Sequence, residues 1–148
     1  MREATLVFPI RSGSVLLGLK KRGFGTGLWN GFGGKIESES VEEAAIREVE
    51  EECGLRIEPG SLDSAGVLEF SLPDIELRVH VFTAKHFSGE VLESGEMKPE
   101  WYPFESVPYA LMWEDDRHWL PYVLAGKSVA GRFVWEGSDL VSIDLSIR

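Results

Sequence analysis

Three glutamates, Glu48, Glu51 and Glu52, are spaced so that one face of a helix would carry all of them. Side chains at positions i, i+3 and i+4 are neighbours on a helix, with Cβ atoms about 5–6 Å apart. Three like charges this close destabilise a helix unless a cation lies among them. Hard oxygen ligands on one rigid element suit Mg²⁺, which prefers a few carboxylates together with substrate phosphates. The spacing alone leaves a second interpretation equally open, a solvent-exposed helix with i,i+4 ion pairs.

The helix that would carry these glutamates has a recognisable start and end. Ser40 and Glu43 fit a capping box, in which the serine hydroxyl accepts from the third amide and the glutamate reaches back. Gly54 can adopt the left-handed conformation that ends a helix. An apolar stripe on an adjoining face consists of Ile46, Val49 and Cys53. We therefore expect this helix to pack on a core with its glutamates along the edge, where Arg47, one turn from both Glu43 and Glu51, can orient or neutralise them.

The rest of the chain reads mostly as strands. Alternating or β-rich segments predict strands at Thr5–Phe8, Val15–Leu19, Ala65–Leu72, Ile75–Phe87, Trp101–Phe104, Val129–Trp135 and Leu140–Ser146. The glycine-rich segment Arg22–Lys35 is predicted to be a loop with room for at most one short strand, and a further loop is predicted at Ser88–Pro99. Asp115–Ala125 predicts a second helix, where Pro121 is tolerable only as a kink or in the first turn. We expect one domain, residues 1–148, with an α+β (mixed α/β) fold whose helices cover a curved mixed sheet.

Composition limits the partners. The formal net charge of −10 argues against binding a nucleic acid polymer, which needs a basic face. A small phosphorylated substrate remains compatible, because bound Mg²⁺ would invert the local field. No apolar stretch approaches the roughly 20 residues that span a bilayer, and the N-terminal segment does not resemble a signal peptide. The single cysteine, Cys53, excludes an intramolecular disulfide, so we expect a cytoplasmic protein without a membrane partner.

The residues around the glutamates form a longer pattern, G-x5-E-x7-R-E-U-x-E-E-x-G-U. The matched residues are Gly33, Glu39, Arg47, Glu48, Val49, Glu51, Glu52, Gly54 and Leu55. A chance match of this length has a probability on the order of one in a million or less, which decides between the two interpretations of the helix. The pattern is the Nudix box, and the chain resembles the Nudix hydrolase family. That resemblance implies an αβα sandwich, a divalent metal (Mg²⁺, with Mn²⁺ as a substitute) and hydrolysis of a nucleoside diphosphate linked to a further group.

The similarity extends beyond the box to the subfamily that hydrolyses oxidised purine nucleoside triphosphates. The similar segments are Lys20–Gly25, Trp29–Lys35, Gly95–Trp101, Met112–Pro121 and Gly131–Leu140. The resemblance implies MutT-like conversion of 8-oxo-dGTP and 2-hydroxy-dATP to the monophosphate and pyrophosphate. Such a reaction removes damaged nucleotides from the pool and prevents DNA damage.

The resemblance also assigns roles to individual residues. Catalytic roles fall to Arg47, Glu48 and Glu52, with Glu52 as the candidate for activating water. The metal ligands would be Glu48, Glu51, Glu52 and Glu96. The substrate-binding positions are Thr5, Lys20, Phe24, Asn30, Gly33, Gly34, Phe70, Trp113, Asp115 and Asp116. Lys20 would lie near the phosphates or the sugar.

The chemistry of the proposed base pocket is consistent with a purine. An amide such as that of Asn30 can hydrogen-bond an adenine-type edge through two atoms, carboxylates accept from N–H donors, and the indole of Trp113 can stack on the base. Each residue also has a structural interpretation: Asn30 in a turn, Trp113 in the core, Asp115 as a helix N-cap and Asp116 in solvent. The other large aromatics, Trp119, Phe133 and Trp135, are expected in the core.

Two segments depart from the subfamily. When its GGK is aligned with that of this chain, the loop to Glu39 is one residue shorter here, and Ser38 stands near the place of a glycine. Ser71 and Leu72 follow Phe70 where the subfamily has a further aromatic on the pocket wall. We expect the second departure to affect base selectivity.

Three other functions remain open at this point. The chain could be a Nudix pyrophosphatase acting on ADP-ribose, a nucleotide sugar or a dinucleoside polyphosphate, which a substrate panel would reveal. It could be a non-catalytic nucleotide sensor, but such a protein is expected to lack box glutamates. It could be an interaction module, which would show no Mg²⁺-dependent turnover. We expect a monomer that binds a small-molecule nucleoside triphosphate.

Overall fold

A mixed β-sheet between two helices organises the chain. The computed structural model describes all 148 residues. The strands are β1 (Arg2–Arg11), β2 (Ser14–Lys20), β3 (Trp29–Asn30), β4 (Leu62–Ser71), β5 (Glu76–Ala84), β6 (Met97–Pro103), β7 (Val129–Glu136) and β8 (Asp139–Ile147). The helices are α1 (Val41–Cys53) and α2 (Asp116–Leu124), and two 3₁₀ turns lie at Phe104–Ser106 and Tyr109–Leu111.

The sheet contains both parallel and antiparallel pairs. Its strand order is β3-β2-β1-β5-β4-β7-β8, and β6 pairs with β2 beside this path. The pairs β1–β5 and β4–β7 are parallel, whereas the other pairs are antiparallel. The predicted α+β class with a mixed sheet is therefore confirmed. Neither helix is long and apolar enough to cross a membrane.

Alternating side chains on β1 and β2 separate the core into two layers. Val7 and Leu16 point into the cluster that α1 closes with Val49, whereas Phe8 and Leu17 belong to the cluster that contains residues of α2. Because successive side chains of a strand point to opposite faces, the two strands supply both layers at once. The sheet is thus covered by one helix on each side, as in the expected αβα sandwich.

Helix α1 begins and ends as its sequence predicts. The Ser40 hydroxyl accepts from the Glu43 N–H at 3.2 Å, and Glu43 Oε1 accepts from the Ser40 N–H at 3.1 Å. Gly54 ends the helix with a φ of 83°, in the left-handed region. Cys53 is fully buried, and burial raises the pKa of its thiol to about 11, which makes it a poor nucleophile.

Several strand boundaries differ from the sequence prediction: β1 extends beyond Thr5–Phe8 at both ends, and β4 begins at Leu62 rather than Ala65. Strand β6 begins at Met97 rather than Trp101, so the predicted loop to Pro99 is too long. It pairs with β2 over its whole length, from Lys20 opposite Met97 to Ser14 opposite Pro103. That partner is distant in sequence, and the charged and proline residues of β6 do not show the alternation of an isolated strand. Strand β5 ends at Ala84, short of the predicted Phe87.

Candidate active site

A cavity of about 340 Å³ opens between the sheet and the segment that leads into α2. All of the substrate-binding residues predicted from the sequence line it, together with Glu52 of α1. Leu72, at the departure noted in the sequence, also lines the wall. The other lining residues were not identified from sequence; they are Ala4, Leu6, Gly25, Leu28, Gly31, Leu77, Val79, Met97, Trp119, Trp135 and Gly137.

Aromatic rings form one end of the cavity. Phe24 stacks on Trp113 with ring centroids 5.0 Å apart and an interplanar angle of 26°. Trp135 meets the same indole edge-on at 6.1 Å. Trp113 is therefore only partly enclosed by the core, and Phe24 covers it with a side chain that is itself 77% exposed. The aromatic residues expected in the base pocket thus lie together in the cavity wall.

The adjacent Asp115 and Asp116 are both buried, with 4% and 2% of their surface exposed. Asp115 does occupy the N-cap position of α2, but its side chain makes no cap hydrogen bond and instead accepts from Trp119 Nε1 at 2.8 Å. The interpretation of Asp116 as solvated is wrong, because its Oδ2 is buried without a hydrogen-bond partner. Burial raises the pKa of Asp115, and burial together with the charge of Asp115 raises that of Asp116 well above its ordinary value. A protonated carboxyl here could donate as well as accept.

Trp119 has a second role that sequence analysis did not assign. It lies in the core as predicted, 1% exposed, and it also lines the cavity and holds Asp115 through its indole N–H. The signal was available, because Asp115 and Trp119 are four residues apart at the start of a predicted helix. Trp135 likewise belongs to the core and lines the cavity.

Asn30 lies in the short strand β3, whose pairing with β2 brings it to the cavity. Its Oδ1 accepts from the Gly31 N–H at 2.8 Å. This contact uses the oxygen of the amide and orients the side chain. The residue is thus held by strand pairing in the cavity wall rather than by a turn.

Glu52 also lines the cavity, and it is buried with 7% of the residue exposed. Its Oε1 accepts from the Gly33 N–H at 2.9 Å. Burial is the main cause that raises the pKa of Glu52 to about 8, the Gly33 hydrogen bond opposes it, and the charges of Glu48 and Glu96 add to it. Burial also raises the pKa of Glu48. These carboxylates are costly to ionise, and a nearby cation would relieve that cost.

Arg47 connects the other acidic side chains of the box. Its Nη2 lies 2.8 Å from Glu39, and its Nη1 lies 3.0 Å from Glu48 and 3.3 Å from Glu51. The expected contact with Glu43 is absent from these ion pairs, because Glu43 is used in the capping box. The shorter loop still brings Glu39 to Arg47.

Gly33 and Gly34 run close beside strand β1 and helix α1. The Thr5 N–H donates to the Gly34 carbonyl at 2.9 Å. A Cβ at Gly33 would lie 1.8 Å from the Thr5 carbonyl oxygen, and one at Gly34 would lie 2.6 Å from Glu48 Oε1. Only glycine allows this approach of backbone to both elements.

Replacing Gly33 with alanine should therefore have a different effect from replacing Gly34. Gly34→Ala is expected to lower kcat about tenfold, because the added Cβ would displace the carboxyl of Glu48; such a change corresponds to about 1.4 kcal/mol in activation free energy. It should cost little stability, because the clash is with the flexible end of a side chain. Gly33→Ala should destabilise the fold by about 2 kcal/mol or more, because a backbone atom cannot move away as easily. Urea unfolding and steady-state kinetics measure the two effects. Equal stability of the two variants would contradict this assignment.

Glu96 lies immediately before β6, and Lys20 and Arg22 surround its carboxylate. Lys20 Nζ is 2.9 Å from Glu96 Oε2, and Arg22 Nη2 is 3.8 Å from Oε1. The hydrogen bond from Lys20 is the main cause that lowers the pKa of Glu96. Glu96 thus stays ionised, with its charge felt at Glu48 and Glu52.

The four predicted metal ligands offer the right donor atoms but are not gathered as a cage. No three acidic, histidine or cysteine side chains lie close enough together to hold a metal ion as they stand. Glu51, with a side chain 58% exposed, does not line the cavity, and its partner is Arg47. The set nevertheless fits a hard divalent cation, because Glu48 and Glu52 are at least partly buried, the nearby acidic charges repel them, and carboxylate oxygens are the donors that such a cation prefers.

Comparison with known proteins matches this arrangement. The sequence-family model of the NUDIX domain matches residues 1–123 of this chain. The oxidized purine nucleoside triphosphate hydrolase of Danio rerio is 44% identical over 140 residues, 93% of this chain and 88% of the relative. The mouse protein of the same name is 42% identical over 151 residues, 99% of this chain and 94% of the relative.

Solved structures show the same architecture. The MutT protein of Bacillus halodurans superimposes with a TM-score of 0.87 at 28% identity, covering 98% of this chain and 97% of that one. A MutT NUDIX hydrolase of Burkholderia pseudomallei gives a TM-score of 0.65 at 28% identity, over 72% and 86% of the two chains. With the family model covering most of the chain and relatives above 40% identity along nearly all of it, the chain belongs to the NUDIX family.

Proposed function

We propose that this protein hydrolyses oxidised purine deoxynucleoside triphosphates to the monophosphate and pyrophosphate, and so sanitises the nucleotide pool. The observation that carries the proposal is the continuity of one cavity. The same cavity is lined by the aromatic pocket with its two buried aspartates and by Glu52. A purine stacked in the aromatic pocket would extend its phosphates toward the carboxylates. The names of the relatives from Danio rerio and mouse support the same substrate class.

The box residues would supply the hydrolytic chemistry. Glu48, Glu51, Glu52 and Glu96 would hold Mg²⁺ (or Mn²⁺), which neutralises phosphate charge when bound. Glu52 is the candidate for accepting the proton of the attacking water, because it combines burial with a fixed orientation from the Gly33 N–H. Arg47 orients Glu48 through the ion pair at 3.0 Å. Lys20, at the cavity wall, is placed to bind phosphate oxygens.

The base would be recognised by hydrogen bonds inside a stacking pocket. Trp113 and Phe24 present ring faces, and Asn30 presents an amide. Asp115 and Asp116 face the same space with carboxyls whose protonation burial favours. Thr5 and Phe70 line the wall, and Phe70 is held by stacking on Phe133 at 5.4 Å.

The products test the reaction. With 8-oxo-dGTP or 2-hydroxy-dATP and Mg²⁺, we expect the monophosphate and pyrophosphate to appear in equal amounts, and EDTA should stop the reaction. Ion-exchange chromatography and ³¹P NMR identify the products. Release of orthophosphate and a nucleoside diphosphate as the primary products would contradict the proposal. A panel with ADP-ribose, nucleotide sugars and dinucleoside polyphosphates separates it from other Nudix activities, and binding without turnover would indicate a sensor.

We further propose that a monomeric, single domain of residues 1–148 is the active unit and that it acts in the cytoplasm. The cavity lies within one fold built on a single mixed sheet, and the single cysteine is buried. Light scattering at the concentration of the kinetic assay checks the first part of this proposal.

A further inference from the structure

Lys20 and Glu96 are brought together by the pairing of β2 with β6. Lys20 is opposite Met97 in this register, and the Lys21 N–H donates to the Glu96 carbonyl at 2.8 Å. The Lys20 ammonium then reaches Glu96 Oε2 at 2.9 Å. Because both backbones are held by the sheet, the two side chains meet without any movement of the loops.

The lysine of this ion pair lies in the cavity wall, whereas the Glu96 side chain is 47% exposed and does not line the cavity. The Lys20 side chain is 24% exposed and lines the cavity that contains Glu52. Its neighbour Lys21 instead pairs with Glu93 and with the Ser94 carbonyl, outside the cavity. Two adjacent lysines therefore hold different partners, and only Lys20 lines the cavity that Glu52 also lines.

A divalent cation and Lys20 compete for the same carboxylate. A Mg²⁺ ligand distance is about 2.0–2.1 Å, so an ion bound to Glu96 Oε2 would stand beside an ammonium that is 2.9 Å from the same oxygen. Two positive groups at such a separation repel each other. Glu96 would therefore bind the cation through Oε2 more weakly while the Lys20 ammonium holds that oxygen.

The triphosphate is the partner that the cavity would offer to Lys20. Phosphate oxygens accept charge-assisted hydrogen bonds from an ammonium as well as a carboxylate does. We infer that Lys20 is a positioning residue that holds Glu96 until nucleotide phosphates take over its ammonium, so that binding of the nucleotide releases Glu96 to the divalent cation. This inference rests on the proposed function, because it needs phosphates in the cavity.

Binding of cation and nucleotide should then be cooperative beyond their direct contact. Linkage requires each ligand to strengthen the other by the same factor, and typical couplings between sites are about 5–150-fold. Removing the ammonium should relieve the competition and raise the affinity for the cation alone. The factor by which nucleotide and cation strengthen each other's binding should then be smaller than in wild type.

The experiment measures Mn²⁺ affinity by electron paramagnetic resonance in wild type, Lys20→Met and Lys21→Met. Each substitution removes one positive charge from the same strand end, so Lys21→Met is the matched control. Without nucleotide, Lys20→Met should bind Mn²⁺ about tenfold tighter than wild type, whereas Lys21→Met should stay within about twofold. Lys20→Arg keeps a cation and should resemble wild type. The gain should vanish in Lys20→Met combined with Glu96→Gln.

A dGTP analogue with an imido bridge between the α and β phosphorus atoms tests the coupling. It should raise Mn²⁺ affinity more in wild type than in Lys20→Met. Equal Mn²⁺ affinities of wild type and Lys20→Met, or a gain that survives Glu96→Gln, would overturn the inference while product formation by wild type could still uphold the proposed function. Absence of Mg²⁺-dependent hydrolysis by wild type would instead overturn the proposed function.

Discussion

Replacing Glu52 with glutamine is expected to lower kcat for an oxidised purine triphosphate at least about 100-fold while the protein stays folded. Glutamine keeps the shape of the side chain, and its amide oxygen can still accept from the Gly33 N–H that now lies 2.9 Å from Glu52. It cannot take a proton from water, and it is a weaker ligand for a cation. Single-turnover kinetics at saturating Mg²⁺ separates this loss from slow product release.

Glu50→Gln is the matched control on the same helix. Glu50 pairs with Arg56 at 3.3 Å on the exposed side of α1, and its side chain is 54% exposed. This variant loses the same charge and should keep turnover within about twofold of wild type. Near-normal turnover of Glu52→Gln, or an equal loss in both variants, would show that Glu52 is not central to the chemistry.

Glu52→Gln should also change how the stability of the protein depends on pH. Folding raises the pKa of Glu52 from 4.5 to about 8, so the folded state binds this proton more tightly than the unfolded state. The stabilising contribution of the protonated form is complete below pH 4.5 and is lost as the pH rises toward 8. Melting temperatures measured in EDTA should therefore favour Glu52→Gln over wild type increasingly from pH 5 to pH 9. A difference that is independent of pH would contradict a buried, reluctantly ionised carboxyl.

The second large effect is expected at Asp115 and Asp116, on the choice between two oxidised bases. Each carboxyl has a raised pKa, because both are buried and the charge of Asp115 disfavours ionisation of Asp116. Charged groups around the pair are Glu114 and His118, and Tyr109 also lies within reach of Asp116. As the pH rises, a protonated carboxyl that can donate becomes a carboxylate that only accepts.

The ratio of kcat/KM for 8-oxo-dGTP to that for 2-hydroxy-dATP should therefore change with pH in wild type. A mismatched hydrogen bond in a dry pocket costs about 1–3 kcal/mol, which predicts a change of about tenfold or more between pH 6 and pH 9. Asp115→Asn or Asp116→Asn keeps the shape but removes the titration, so at least one variant should show a different and flatter ratio. Steady-state kinetics with both substrates measures it.

Two further variants separate recognition from general pH effects. Asp74→Asn, in the exposed turn between β4 and β5, should retain the wild-type profile. Trp119→Phe removes the indole N–H that holds Asp115 at 2.8 Å and should shift the profile while leaving both aspartates in place. A ratio that is flat in wild type and unaffected by either aspartate substitution would leave the pair with a structural role alone.

Local sequence was sufficient for α1 and for the box it carries. Ser40, Glu43 and Gly54 act through contacts within a few residues of each other, so their pattern determines where the helix begins and ends. The i, i+3, i+4 spacing of the glutamates follows from the helical period in the same way. Resemblance to a known family then indicated the residues that line the cavity, because it carries information about tertiary contacts that a short pattern lacks.

Contacts between distant segments decided the parts of the fold and of the site that local sequence did not. Strand β6 forms because β2 offers it a partner about 80 residues earlier, and this pairing is what brings Glu96 to Lys20. The state of Asp116 depends on its complete burial, which no local pattern reveals. Arg47 selects Glu39 rather than Glu43 because the capping box already uses Glu43. The sequence thus determined which groups this protein carries and on which elements, whereas packing decided which carboxyls are dry, paired or costly to ionise, because desolvation depends on everything that surrounds a group.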